Sequence, residues 1–225
     1  MHYSSQKAGE FFAKVYGKPN LTVLDVGGAD RNGSIKAFYA ELNMQYICLD
    51  INQGPGIDIV IQPGGRFPLQ DASVDLVISS SVFEHDPCFW ITFKEIARVT
   101  KLGGYIYVNA PSRGAYHTFP VDNWRYYGDA GQALAYWASL EYGSIEAYPV
   151  TVEETFHIKT NHPGYFNHWG DFVCVWKRVE EKTSQIAVSE DVKKRNGLLK
   201  TMLLENKFEL ENQEYGVLSK VDHLL

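Results

Sequence analysis

Two carboxylates, Asp25 and Asp50, each close a short apolar run, Leu21-Thr-Val-Leu24 and Tyr46-Ile-Cys-Leu49, and Gly27 and Gly28 follow close behind the first. Glycines at such a turn let the backbone approach a ligand, and a helix start behind them offers unpaired N–H groups. An acid at the turn repels a pyrophosphate and attracts an amine-bearing or cationic ligand. The chain has neither Gly-x-Gly-x-x-Gly nor Gly-Lys-Ser/Thr at this turn to hold phosphates. Asp50 stands about where folds of this kind place a carboxylate on ribose hydroxyls. A second set of residues suits proton transfer: His85, beside Glu84, and His117 with Asp122. Imidazole titrates near neutrality and can take a proton from a hydroxyl. For His85 three roles stay open: general base, metal ligand, or a structural histidine bonded to a loop carbonyl or an acid. Arg125, within Trp124-Arg-Tyr-Tyr127, either holds an anionic or polyol ligand or stacks on its aromatic neighbours. His157, His162, His168 and Asp171 match no zinc spacing.

The elements that must position these groups follow from periodicity. Leu21–Asp25 reads as a strand, and Ser34 opens a helix with Ile35, Phe38 and Leu42 on one face. A second strand ends at Asp50, and a third spans Ile57–Ile61 after the turn-rich Asn52-Gln-Gly-Pro-Gly56. Val74–Ser81 is a fourth, with its serines at the carboxyl end where parallel sheets bind ligands. Asp86-Pro87 reads as the cap and first position of a helix burying Phe89, Phe93, Ile96 and Ala97, stopped by Lys101 and Gly103-Gly104. A fifth strand covers Tyr105–Asn109, a capped helix begins near Asp129, and Ile145–Glu153 and Phe172–Arg178 are the last two strands. Parallel strands with crossover helices predict an α/β, doubly wound sheet.

Residues 20 to 178 resemble the class I S-adenosylmethionine-dependent methyltransferases. The resemblance rests on the acid and glycine turn at Asp25–Gly28, on Pro68-Leu-Gln-Asp-Ala-Ser-Val-Asp-Leu-Val-Ile-Ser-Ser-Ser-Val-Phe-Glu-His85, and on Leu102-Gly-Gly-Tyr-Ile-Tyr-Val-Asn-Ala-Pro111. His117–Tyr127, with Pro120, Asp122 and Trp124-Arg-Tyr126, is similar to a segment of a subgroup associated with glycan biosynthesis. The resemblance implies a Rossmann-like, mainly parallel seven-stranded sheet with an antiparallel closing strand. It implies S-adenosylmethionine on Asp25, Gly27, Gly28, Gly33, Asp50, Ile51, Gln62, Pro63 and Ser80, where Gln62 replaces the usual acid near the adenine. It implies His85, His117 and Asp122 as catalytic residues and Trp124, Arg125 and Tyr126 on the acceptor. Some related O-methyltransferases acidify the acceptor with a divalent ion, so Glu84 and His85 are the candidate ligands should magnesium be used. Ala29 and Arg31 depart from the family's glycine pattern. The activity implied is O-methylation of a sugar or other small-molecule hydroxyl. The alternatives are a non-catalytic regulatory or assembly protein on the same fold and, with less support, a nicotinamide oxidoreductase.

A chain of 225 residues that is 45% hydrophobic fits one α/β domain, expected over residues 20–179. Residues 1–19 carry a weak apolar stripe and leave two roles open, a lid over the ligand or a helix packed on the sheet. A net charge of −6 with no basic stripe argues against a nucleic-acid partner. Three well-separated cysteines and no long apolar run predict a soluble, cytoplasmic protein with no membrane partner. Residues 180–225 shift to a polar linker and then an apolar tail, Leu198–Leu210, expected either to pack between subunits of a homodimer or to fold back on the domain.

Overall fold

The computed structural model describes residues 3–30, 34–118, 121–144, 146–159, 169–182 and 197–211. Helix α1 (Tyr3–Tyr16) precedes β1 (Thr22–Val26), α2 (Lys36–Glu41), β2 (Gln45–Asp50) and β3 (Ile59–Val60). Then come β4 (Val74–Ser80), α3 (Phe89–Val99), β5 (Thr100–Arg113), α4 (Ala130–Ala138), β6 (Val150–Lys159), β7 (Gly170–Arg178), α5 (Leu198–Glu205) and β8 (Leu210–Glu211). One sheet has the order β3-β2-β1-β4-β5-β7-β6-β8. Strands β1 to β5 pair in parallel, and β7 runs antiparallel between β5 and β6. The expected seven strands are present, with the two-residue β8 added on the outer edge of β6.

Both faces of the sheet are covered, so neighbouring residues of one strand serve different cores. Leu24, Val77, Ile106, Val108 and Trp176 pack with Phe93 and Ile96 of α3 and Leu134 of α4. Val23, Leu76, Ile78, Tyr107 and Val175 pack with Phe12 of α1, Tyr39 of α2 and Leu199 and Leu203 of α5. At the ends of the chain, α1 is thus packed on the sheet and the tail helix α5 folds back beside it. The boundary expected at residue 179 does not separate the tail from the core. Glu154 explains why: its carboxylate accepts the N–H groups of Leu199 at 3.0 Å and Lys200 at 2.9 Å, and also the hydroxyl of Tyr16 at 2.6 Å. An acid buried in β6 caps one helix and holds the end of another.

Several boundaries differ from the sequence expectation. Helix α3 starts at Phe89 because Asp86 accepts the Cys88 N–H and the Thr92 hydroxyl from outside the helix. Strand β5 begins at Thr100, and the glycines 103 and 104 lie inside it, where the pairing with β4 shifts register. Strand β6 begins at Val150 instead of Ile145, which lies outside the described residues.

Candidate active site

The carboxyl ends of β1, β2, β4 and β5 all point to one edge, and strand order reverses between β1 and β4. Doubly wound sheets open a ligand crevice at such a reversal. At its floor, Gly27 has φ +79 and donates its N–H to the Leu49 carbonyl at 2.7 Å. A Cβ on Gly27 would fall 2.3 Å from Val82 Cγ2, so the loop after β1 lies directly against the loop after β4. A Cβ on Gly28 would fall 2.3 Å from Asp25 Oδ2 and 2.7 Å from Cys48 Sγ. Only a bare backbone fits over that carboxylate.

Asp25 is buried and accepts the Tyr46 hydroxyl. Burial pushes its carboxyl up to about 6; the Tyr46 hydrogen bond and Lys36 oppose this, and Asp50 adds to it. Burial thus outweighs Lys36, the cation that acts on it. Asp50 is also buried and accepts the Asn52 N–H at 2.8 Å, which orients it at the end of β2. Ile51, Gln62 and Pro63 are exposed around it. At the end of β4, the Ser80 hydroxyl donates to Asn109 Oδ1 at 3.5 Å, and the following Ser81 takes φ +57. Gly33 and Arg31 lie outside the described residues.

The loops after β4 and β5 form a second cluster at the same edge. The Glu84 carbonyl accepts the N–H of Asn123 at 2.7 Å, and the Trp124 indole donates to the Asp86 carbonyl at 2.9 Å. The ring Nδ1 of His85 donates to the Val121 carbonyl, which leaves Nε2 with its lone pair, 3.6 Å from Glu84 Oε1. Burial lowers the His85 pKa, partly opposed by the Val121 hydrogen bond. The His117 ring packs edge-on to His85 with centroids 5.1 Å apart, and its Nδ1 stands 3.1 Å from Asp122 Oδ2, off the line that a hydrogen bond needs. Glu84 is 1% exposed, its Oε2 meets no hydrogen-bond partner, and burial pushes its carboxyl up to about 8.

The residues expected on the acceptor divide. Arg125 sends Nη1 to Asp122 Oδ1 at 2.5 Å and Nη2 to Asp122 Oδ2 at 2.7 Å, and its remaining Nη protons to the carbonyls of Trp124 and Ala115. That fork is committed to the loop and holds the Asp122 carboxyl down to about 2. Tyr126 is buried, and its hydroxyl donates to the Phe83 carbonyl at 2.9 Å. Both side chains build the loop: Arg125 is paired with Asp122, and Tyr126 is buried. Trp124 is 38% exposed, Trp90 is 37% exposed, and their rings meet at 79° with centroids 6.2 Å apart. Sequence reasoning missed Trp90 and the roles of Tyr46 and Glu154. His157 is buried in β6, with burial taking its pKa down to about 4, while His162 and His168 lie outside the described residues. The depression lined by Arg66 to Asp71 leads into the start of β4, at the opposite edge of the sheet.

An acid-backed glycine turn at the β1/β4 reversal and an antiparallel β7 together define the fold of class I S-adenosylmethionine-dependent methyltransferases. Residues 24–108 match the family model described as a methyltransferase domain. An uncharacterized methyltransferase of Mycobacterium sp. (strain JLS) is 38% identical over 96 residues, covering 37% of this chain and 36% of that protein. The chain therefore spans about a third of the length of the curated relatives it matches. Among solved structures, 1,6-didemethyltoxoflavin-N1-methyltransferase of Burkholderia thailandensis superposes with a TM-score of 0.55 at 11% identity over 80% of each chain. The 4+2 cyclase SpnF superposes with a TM-score of 0.59 at 10% identity, over 79% of this chain and 82% of its own. These likenesses establish the fold, which hosts more than one chemistry. No helix among the described residues is long and apolar enough to cross a membrane.

Proposed function

We propose that this protein is an S-adenosylmethionine-dependent methyltransferase that methylates a hydroxyl of a sugar or other small polyol. The observation that carries the reading is the glycine turn backed by Asp25 and flanked by Asp50, at the strand-order reversal. In it the bare backbone of Gly28 over a buried carboxylate fits the amino-acid end of the cofactor, and Asp50 fits the ribose hydroxyls. When bound, the cofactor supplies an electrophilic methyl group on sulfur. The protein's share is in-line placement and handling of the acceptor proton. His85 and His117, the latter held beside the Asp122–Arg125 pair, are the polar groups that support ionisation of that hydroxyl. The half-exposed faces of Trp90 and Trp124 beside them support an acceptor that combines hydroxyls with flat C–H faces.

The test is Asp50→Ala. Two charge-assisted hydrogen bonds to a ribose, worth about 1.5–3 kcal/mol each, are removed. Calorimetry should show S-adenosylmethionine affinity lowered by about a hundredfold or more, with the circular dichroism spectrum unchanged. Equal affinity in variant and wild type would remove the ribose role and with it the main support for this cofactor.

A further inference from the structure

We infer that Glu84, His85 and His117 form a binding site for a borderline divalent transition ion of the zinc class, on the acceptor side of the crevice. One ligand atom from each lies within 4.8 Å of the other two, and this is the one such group of three among the described residues. Proximity alone would carry little, since polar clusters are common at ligand edges. Three further features point to an ion.

The first is that Glu84 Oε2 is buried without any hydrogen-bond partner, on a residue only 1% exposed. A buried carboxyl oxygen left without a partner either keeps a proton or meets a cation. Arg125 is committed to Asp122 and to loop carbonyls. The second is the orientation of His85. Metal-bound imidazoles almost always donate their other ring N–H to a carbonyl or carboxylate, and His85 Nδ1 donates to the Val121 carbonyl while Nε2 turns toward Glu84. The third is Asp122, which accepts the His117 backbone N–H at 2.9 Å and is itself held by Arg125, so the loop that presents the His117 ring is fixed.

The donor set decides the kind of ion. Two imidazole nitrogens and one carboxylate oxygen suit zinc, cobalt or iron, whereas magnesium prefers oxygen ligands and keeps its waters. Magnesium, considered on Glu84 and His85 alone, is the poorer match once His117 joins the set. Three protein ligands leave a coordination position open, as in catalytic zinc sites. What the ion does there rests on the methyl-transfer reading. An acceptor hydroxyl bound in the open position would release its proton to solvent water, and the resulting oxyanion would attack the methyl carbon while the S–C bond electrons return to sulfur.

Cobalt(II) tests the site without any assay of turnover. Full-length protein is stripped with chelator, freed of it, and titrated with cobalt chloride while visible absorption is followed. The expected result is saturation near one equivalent, with bands that disappear on adding zinc. His117→Gln, on a partly exposed loop, should weaken cobalt binding by tenfold or more. Glu84→Gln, the isosteric change, should weaken it as well. Absence of saturable cobalt binding to the wild type, or His117→Gln binding as tightly as wild type, would overturn the inference. Calorimetry with S-adenosylmethionine on the same samples separates the two readings. Cofactor binding without cobalt binding removes the ion and leaves the methyl-transfer reading standing. Cobalt binding without cofactor binding does the reverse.

Discussion

Asp25→Asn should make the ligand-free protein more stable and S-adenosylmethionine binding much weaker. In the folded protein the Asp25 carboxyl sits at about 6, pushed up by burial, against an ordinary value near 3.8. The folded state therefore binds that proton more tightly than the unfolded chain. Its contribution to stability is present below about pH 3.8 and is lost as pH rises to about 6. At neutral pH the ionised, buried group costs about 3 kcal/mol, at 1.36 kcal/mol per unit. Asparagine carries no such cost and can still accept the Tyr46 hydroxyl. A rise of several degrees in melting temperature is expected, on the order of 2–4 °C per kcal/mol for a chain of this size. The cofactor's ammonium group, however, is the proposed counter-charge, and losing a charged hydrogen bond there should cost about 10–100-fold in affinity. The same linkage predicts the wild-type pH profile. If the bound cation favours the ionised carboxylate, affinity should fall as pH drops below about 6, by up to tenfold per pH unit. The variant should lack this dependence. Thermal denaturation and calorimetry at several pH values read both effects. A variant that is less stable and binds the cofactor normally would show that Asp25 is a structural acid.

The place of Asp25 was legible in the sequence: an acid between an apolar run and two glycines sits at the end of β1, directly under Gly28. The layered fold was legible too, since strands buried on both faces read as nearly continuous apolar runs ending at Asp25, Asp50 and Ser80. Strand β6 was not read correctly, for a physical reason: its buried positions include Glu154, Thr155 and His157, which a hydropathy pattern scores as surface. Each finds its role only in three dimensions, Glu154 as a cap for a helix some 45 residues later in the chain. For Arg125 the sequence left two roles open. Its spacing of three from Asp122 is a pairing signal, and the structure uses it to close the loop instead of offering the fork to a ligand. The grouping of Glu84 and His85 with His117 depends on two loops meeting, one after β4 and one after β5, and no local pattern announces that.

Deleting everything after Arg195 should destabilise the protein strongly instead of merely separating subunits. Sequence alone left the apolar tail free to pack between two copies or against its own domain. In the structure Leu199 and Leu203 are fully buried beside α1, and β8 pairs with β6. Fully burying one leucine contributes about 1.5–3 kcal/mol, so removing both costs about 3–6 kcal/mol from a total of about 5–15 kcal/mol. Truncation also strips Glu154 of the two N–H groups that it accepts, leaving a buried carboxylate with only the Tyr16 hydroxyl. The unpaired acid adds to the loss, and a second variant isolates it. Glu154→Gln in the full chain keeps the shape but removes the charge from the helix cap, at a cost of about 1–2 kcal/mol. Urea denaturation should therefore rank wild type above Glu154→Gln, and both well above the truncated chain, which should unfold at low denaturant or accumulate as aggregate. Sedimentation supplies the opposing outcome. A truncated chain that melts like wild type, but runs as a monomer where the full chain runs as a dimer, would place the leucines between subunits and remove α5 from the core.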